Sequence, residues 1–211
     1  MKTAVTKAGL RSYISRCGSD GISFGFPMGS YRICQQVSEF CDFLGWLIDN
    51  DVKIETYLEI GAAGGGTARL MSDVFLIPRI RIVDLGDHAA HVAFERNASG
   101  MVSNGSVVET FIGSSHSRPA MEFIHDATYD LVLVDGDHTQ EGCTQDVAAV
   151  SGSIREGGVL AVHDVNGDPG VAAWWDGWYD PHYELAGHTH IGWNSPGMAW
   201  YVRTEPHENL K

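Results

Sequence analysis

Apolar and polar positions repeat along the chain with two different periods, which predicts an α/β fold. Between residues 35 and 49 the apolar positions recur at the spacing of one helical face, typical of a helix packed on a sheet. Further along, short apolar runs end in Gly or Asp and are separated by helical patterns. The predicted strands are 56–60, 80–83, 107–112, 129–134 and 159–162, and the predicted helices between them are 69–75, 89–98, 119–125 and 140–153.

The two ends of the chain follow different patterns. Residues 183–192 and 198–202 predict a final pair of antiparallel strands, because a turn-forming NSPG sequence stands between them. Residues 1–33 are mixed, and their Gly/Ser-rich stretch 18–30 is interpreted as a loop, either a lid or an ordinary surface loop. We therefore divide the chain into an N-terminal segment, 1–34, and one domain, 35–211. Strands that alternate with helices predict a mostly parallel sheet with ligands at its carboxyl edge.

Composition narrows the class of protein. The chain has 211 residues, 44% of them hydrophobic and 19% charged, as in one soluble globular domain. No apolar run approaches the ~20 residues that span a bilayer, and the first residues lack the apolar segment of a signal peptide. Four cysteines without a C-x-x-C pair indicate reduced thiols, and so a cytoplasmic protein.

The net charge of the chain indicates which kind of molecule it binds. The formal net charge is −13, with only 14 Lys and Arg residues. Nucleic-acid binding needs basic side chains that neutralise phosphates. We therefore expect a small-molecule substrate and neither a nucleic acid nor a membrane as partner, and we leave open whether the chain forms a homo-oligomer.

A glycine-dense turn, in TYLEIGAAGGGT (residues 56–67), is the strongest local signal of a ligand site. A strand, a tight turn and a helix start together present backbone N–H groups to a ligand. Asp84 ends the next predicted strand, 23 residues after Gly61, near the ~20-residue interval at which nucleotide-binding folds place a carboxylate on ribose hydroxyls. The G-x-G-x-x-G spacing fails at Ala63, which disfavours a nicotinamide cofactor.

Three segments carry a family resemblance. Glu59-x-Gly61-x-Ala63-x-Gly65 resembles the acid-x-Gly-x-Gly-x-Gly motif of class I S-adenosylmethionine-dependent methyltransferases, with Ala63 at the middle glycine position. YDLVLVDGDHTQEG (129–142), followed by Asp146 and by REGGVLAVHDV (155–165), resembles the branch with macrolide-sugar O-methyltransferases and cephalosporin-hydroxylase-like proteins. The resemblance spans roughly residues 35–175. It implies a Rossmann-like, seven-stranded, mostly parallel sheet flanked by helices, with the last strand antiparallel.

The resemblance also implies the cofactor and the residues that bind it. S-adenosylmethionine would have its methionine and ribose portion beside the glycine turn, its ribose hydroxyls on Asp84 and its adenine beside two serines. The implied cofactor-binding residues are Glu59, Gly61, Ala62, Gly65, Asp84, Ser114, Ser115 and Asp135.

The residues at the expected metal position are a second departure from the family pattern, besides Ala63. Asp135, His163 and Asp164 fall where metal-dependent members such as catechol O-methyltransferase place three ligands of a divalent ion. Those ligands are oxygens, which Mg²⁺ prefers, whereas His163 offers nitrogen. Three alternatives stay open: Asp137 supplies the missing oxygen to Mg²⁺, a nitrogen-tolerant ion such as Mn²⁺ binds, or no metal binds.

Methyl transfer from a sulfonium needs an aligned acceptor that loses a proton. We assign catalytic roles to Asp135, His138 and Asp164. An ordinary histidine pKa near ~6.5 suits His138 to act as the base, and Asp135 and Asp164 would hold the assisting metal ion. Asp137 and His138 would otherwise only cap the following helix. His88 and His91 are interpreted as surface residues, and His188 and His190 as structural ones. The leading hypothesis is O-methylation of a small hydroxylated acceptor with possible divalent-metal assistance. The alternative is an inactive binding or scaffold protein of the same fold.

Overall fold

The computed structural model describes residues 7–17, 33, 35–189 and 196–205. Its strands are β1 (Thr56–Ile60), β2 (Arg79–Asp84), β3 (Val107–Ile112), β4 (Tyr129–Val134), β5 (Ile154–His163), β6 (Tyr183–Thr189) and β7 (Met198–Arg203). Its helices are α1 (Lys7–Cys17), α2 (Val37–Asp49), α3 (Gly66–Phe75), α4 (Phe94–Ser103), α5 (Arg118–His125), α6 (Gln140–Ser151) and α7 (Pro169–Gly177), with a 3₁₀ turn at Ala89–Ala93.

All seven strands form one sheet in the order β3-β2-β1-β4-β5-β7-β6. Strands β1 to β5 all run parallel to one another. Strand β7 runs antiparallel to its two neighbours, β5 and β6. This confirms the predicted Rossmann-like sheet. The strand order reverses between β1 and β4, so the loops after these two strands lead away from each other and leave a crevice at the carboxyl edge.

Apolar side chains cover both faces of the sheet. One face packs against α1 to α4, with Phe40, Phe43 and Met71 among the fully buried residues. The other face packs against α5, α6 and α7, with Ile124 and Val150 buried there. Strand β4 is buried along its whole length, as expected of a central parallel strand covered on both faces.

Strand β5 differs from its prediction. It begins at Ile154, five residues earlier than predicted, so Gly157 and Gly158 lie inside the strand and do not turn the chain into it. The pairing with β4 shifts register between Tyr129 and Leu131. This irregularity absorbs the two glycines, which sequence reasoning took for a turn.

Helix boundaries also differ. Helix α3 begins three residues early, at Gly66, because Gly65 caps it in a left-handed conformation (φ +69°). The predicted helix 89–98 is a 3₁₀ turn followed by α4, which continues to Ser103. The other predicted helices differ by at most two residues at either end.

The N-terminal segment contains a helix that the sequence did not predict. Helix α1 packs on α2, and its Leu10 and Ile14 belong to the same core as Phe40. The predicted domain division at residue 34 stays a prediction. The predicted loop 18–30, the first half of the NSPG turn and His190 lie outside the described residues. Among the described helices, none combines the length and apolar character required to cross a membrane.

Candidate active site

The glycine turn connects β1 to α3 and lies against the end of β4. Gly61 has φ +82°, and a Cβ at this position would lie 2.1 Å from the carbonyl oxygen of Asp135. Only glycine fits there, because both the conformation and the space exclude a side chain. Ala63 also adopts a positive φ, +48°, so the residue at the family's middle glycine position carries backbone strain.

Asp84 fastens this turn to the end of β2. Its Oδ2 accepts a hydrogen bond from the Ala63 N–H (2.7 Å), and its Oδ1 accepts one from the Gly86 N–H (2.6 Å). His91 has a carboxylate neighbour, which its interpretation as a surface residue missed. Its Nδ1 lies 3.8 Å from Asp84 Oδ1, and its ring stacks on Phe94 at 5.0 Å.

A cleft opens between this turn and the loops that follow β2, β3 and β4. Four residues predicted to bind the cofactor line it: Gly61, Asp84, Ser114 and Ser115. Ala62 and Gly65 lie in the same turn but do not line the cleft. The structure thus brings four of the eight predicted cofactor residues to one crevice at the sheet's carboxyl edge.

Glu59 lies below this cleft, inside the protein. It is 2% exposed, and its Oε2 accepts a hydrogen bond from the Tyr57 hydroxyl at 2.8 Å. Burial raises the pKa of Glu59 to about 8, against the opposing effect of the Tyr57 hydrogen bond. At neutral pH this carboxyl group is therefore mostly protonated.

Asp146 is a residue that sequence reasoning quoted as part of a motif but did not assign to the site. It is fully buried on α6, and its Oδ1 accepts hydrogen bonds from Ser115 Oγ (2.6 Å) and His116 Nε2 (2.9 Å). Its Oδ2 accepts one from the Asp137 N–H (3.1 Å). One carboxylate thus joins the loops after β3 and β4, which form two walls of the cleft.

Two carboxylates and two imidazoles meet at the tips of β4 and β5, and we call them the strand-tip cluster: Asp135, His138, His163 and Asp164. The Nε2 atom of His138 lies 3.5 Å from Asp135 Oδ1 and 3.4 Å from Asp164 Oδ2. The Nδ1 atom of His163 lies 3.4 Å and 3.2 Å from the same two oxygens. The prediction that Asp135, His163 and Asp164 lie together agrees with this geometry.

Two polar residues near or on α2 support the cluster from inside. Gln35 Nε2 donates to Asp135 Oδ2 at 2.7 Å, and its Oε1 accepts from the Thr67 hydroxyl at 2.7 Å. Glu39 is buried, with its Oε2 4.0 Å from His163 Nε2. Sequence reasoning missed both residues. For Glu39 the sequence offered one signal, an acidic residue among the apolar residues of a helical face, which a buried functional carboxylate would explain.

Comparison with known proteins identifies the family. A family model described as a methyltransferase domain matches residues 58–165, about half of the chain, which includes most of β1 and all of β2 to β5. The chain belongs to this family: it is a class I S-adenosylmethionine-dependent methyltransferase domain. A search of curated protein sequences found no significant match.

Solved structures share the fold of this methyltransferase. An O-methyltransferase from Bacillus cereus, in complex with S-adenosylhomocysteine, is 14% identical with a TM-score of 0.61, over 94% of this chain and 89% of that one. TomG from Streptomyces achromogenes, an O-methyltransferase involved in tomaymycin synthesis, is 16% identical with a TM-score of 0.56, over 76% and 78%.

MycE, a methyltransferase of the mycinamycin biosynthetic pathway in complex with Mg and S-adenosylhomocysteine, is 19% identical with a TM-score of 0.55. The match covers 81% of this chain and 50% of MycE, so this methyltransferase spans about half of the MycE chain. At these identities the likeness shows the fold alone.

The charges in the strand-tip cluster shift the pKa of His138, the residue expected to act as the base in this methyltransferase. The hydrogen bond with Asp135, together with the charges of Asp135 and Asp164, raises the pKa of His138 to about 9 despite its partial burial. Burial would raise the pKa of Asp135, but the positive charge of His163 and the hydrogen bonds with both histidines lower it to about 2. The expectation of an ordinary pKa for His138 is therefore wrong for this arrangement, in which His138 is protonated at neutral pH.

Magnesium does not fit the cluster. Two of its four donors are imidazole nitrogens, whereas Mg²⁺ demands oxygen ligands in near-octahedral geometry. Asp137, the alternative source of an oxygen, is exposed and accepts a hydrogen bond from the Thr139 N–H at 2.9 Å. It stands outside the group of donors that lie together, namely Asp135, His138 and Asp164, so it does not complete an oxygen site.

Proposed function

We propose that this methyltransferase transfers a methyl group from S-adenosylmethionine to a hydroxyl oxygen of a small acceptor. The observation that carries the proposal is the position of the strand-tip cluster. Asp135 directly follows β4, and the next two residues, Gly136 and Asp137, line the cleft. A ligand in the cleft would therefore have carboxylates and imidazoles directly beside it, where an acceptor hydroxyl has to lose its proton.

Cofactor binding is assigned to the cleft and its turn. Both oxygens of Asp84 accept one backbone hydrogen bond each, and each carboxylate oxygen has a further lone pair for a ribose hydroxyl. Ser114 and Ser115 would flank the adenine. Gly61, Ala62 and Gly65 would let the methionine portion approach the backbone closely, with Glu59 supporting the turn from below.

Proton removal is assigned to the cluster. His138 is the most exposed of its four side chains, at 43%, so an acceptor can reach it. Its Nε2 lies within 3.5 Å of Asp135 and Asp164, and these carboxylates stabilise the imidazolium that forms when it takes a proton. The raised pKa implies that His138 becomes competent as a base once its resting proton has left, so we expect the transfer rate to rise toward alkaline pH.

Transfer of labelled methyl groups to a panel of phenols and sugars tests the proposal. We expect at least one hydroxylated acceptor to be methylated on oxygen, and Asp135→Ala to reduce the rate at least 100-fold, the lower range of a general acid–base contribution. Asp176→Ala, at an exposed aspartate of α7, is the matched control and should transfer at the wild-type rate. Cofactor binding without turnover across the panel would support the inactive alternative, and full activity in Asp135→Ala would remove the assignment.

A further inference from the structure

We propose that Gln35 is a positioning residue for methyl transfer, because its side-chain amide fastens the carboxylate of Asp135 to the helix that follows the glycine turn. The cofactor turn and the base are then held in one arrangement. The catalytic part of this inference rests on the proposed function. The positioning of Asp135 does not, and it can be measured without any turnover.

The direction of each hydrogen bond follows from what its partners can donate. An ionised carboxylate only accepts hydrogen bonds, so the atom that faces Asp135 Oδ2 at 2.7 Å has to be the Nε2 donor of Gln35. The Oε1 atom of the same amide then faces the Thr67 hydroxyl, also at 2.7 Å, and accepts its proton. The hydrogen bonds therefore run in one direction, from Thr67 through Gln35 to Asp135.

These contacts are largely shielded from water. Gln35 is 4% exposed and Thr67 is 5% exposed, and the side chain of Asp135 is 16% exposed. A hydrogen bond in such surroundings is electrostatically stronger than one in water. A buried polar group that loses its partner costs free energy, so a change at Gln35 disturbs the residues at both of its ends.

Thr67 and Asp135 belong to the two halves of the candidate site. Thr67 lies in the first turn of α3, two residues after Gly65, which caps that helix. Asp135 directly follows β4, and its N–H donates to the carbonyl oxygen of Ile60 at the end of β1 (2.9 Å). The sheet thus holds the backbone of Asp135, and Gln35 holds its side chain.

The hydrogen bond to Oδ2 determines where the other oxygen of Asp135 lies. Its Oδ1 is 3.5 Å from His138 Nε2 and 3.4 Å from His163 Nδ1. The terminal torsion of an aspartate has broad minima, so without a partner on Oδ2 the carboxylate can turn and move its charge away from His138. A misplacement of about 1 Å costs up to about 100-fold in rate. Gln35 does not line the cleft, so it acts on the base through Asp135.

Two variants of Gln35 separate the ends of the amide. Gln35→Met keeps the length of the side chain and removes both hydrogen bonds, whereas Gln35→Glu still accepts from Thr67 but has no amide to donate to Asp135. We expect kcat to fall at least tenfold in both, with affinity for S-adenosylhomocysteine in calorimetry, which also shows that the variants fold, unchanged within about threefold. Gln145→Met, at an exposed glutamine of α6, is the matched control and should behave as wild type.

Two kinetic results would overturn the proposal. One is a wild-type kcat in both variants of Gln35. The other is a loss of kcat that equals the loss of S-adenosylhomocysteine affinity, since this would show that Gln35 only supports the cofactor turn.

Nuclear magnetic resonance of the histidine rings tests the positioning without turnover. The ring nitrogens of His138 and His163 lie beside the Asp135 carboxylate, so their ¹⁵N signals should shift in Gln35→Met and Gln35→Glu and stay in place in Gln145→Met. Unshifted signals of both rings would overturn the proposal whatever the activity. If the signals shift but the wild type methylates no acceptor, the proposed function fails and the positioning of Asp135 by Gln35 stands.

Discussion

Glu59 allows a quantitative test of the electrostatics beneath the glycine turn. Its carboxyl group is buried beside Tyr57, and burial raises its pKa to about 8, whereas an unfolded chain gives glutamate a pKa near ~4.3. Between these two values the folded protein holds a proton that the unfolded chain has released. The free energy of unfolding therefore falls as pH rises through this range, by up to about 1.4 kcal/mol per pH unit.

The substitution Glu59→Gln removes this contribution while preserving the shape of the side chain. The amide oxygen still accepts the Tyr57 hydrogen bond but does not titrate. From pH 5 to pH 7 the wild type should lose about 2–3 kcal/mol more of its unfolding free energy than the variant does. Below the pKa of glutamate in the unfolded chain, Glu59 is neutral in both the folded and the unfolded state. The difference in unfolding free energy between wild type and Glu59→Gln should therefore become independent of pH there.

Urea unfolding at pH 5, 6 and 7 measures the effect, with Glu95→Gln at an exposed position of α4 as the matched control. The control should follow the wild-type pH dependence. Because other groups titrate equally in both proteins, the difference between wild type and Glu59→Gln isolates this carboxyl group. Parallel pH profiles for these two proteins would show that Glu59 is ionised in the fold, and the reasoning would fail.

Three further substitutions test the walls of the cleft. Gly61→Ala should destabilise the fold by about 2 kcal/mol or more and abolish binding of S-adenosylhomocysteine, because its Cβ would lie 2.1 Å from the Asp135 carbonyl; thermal melting and calorimetry check both effects. Ala63→Gly should stabilise the fold by about 0.5–1 kcal/mol in urea unfolding, because it relieves a φ of +48°. Asp146→Asn should weaken S-adenosylhomocysteine binding at least tenfold in calorimetry, because the amide nitrogen cannot accept the hydrogen bonds that the carboxylate receives.

The sheet was predictable from the sequence because each central strand is a short apolar run that ends at a polar or glycine residue. Strand β3 and strand β4 have their predicted bounds. The start of β5 was not predictable in the same way, since Gly157 and Gly158 resemble a turn until the pairing with β4 is known. Among the described side chains of helix α1, Leu10 and Ile14 are the buried ones, and two apolar positions make too weak a periodic signal.

The candidate site was predictable only for residues that directly follow neighbouring strands of the sheet. Asp135 and Asp164 follow adjacent parallel strands, so their approach could be inferred from the strand pattern. Gln35 and Asp135 are hydrogen-bonded although they are 100 positions apart in the sequence, so no local sequence pattern could predict this contact. The raised pKa of His138 likewise depends on two carboxylates brought near it by the fold.

Calorimetric titration of S-adenosylhomocysteine tests the central claim, that the cleft at the carboxyl edge binds the methyl donor. The account predicts one site per chain in the wild type, unchanged binding in Asp176→Ala, and at least tenfold weaker binding in Asp84→Ala, which loses the carboxylate that fastens the turn and faces the cleft. A wild-type titration without heat of binding at any accessible concentration, or equal affinity in Asp84→Ala, would contradict it.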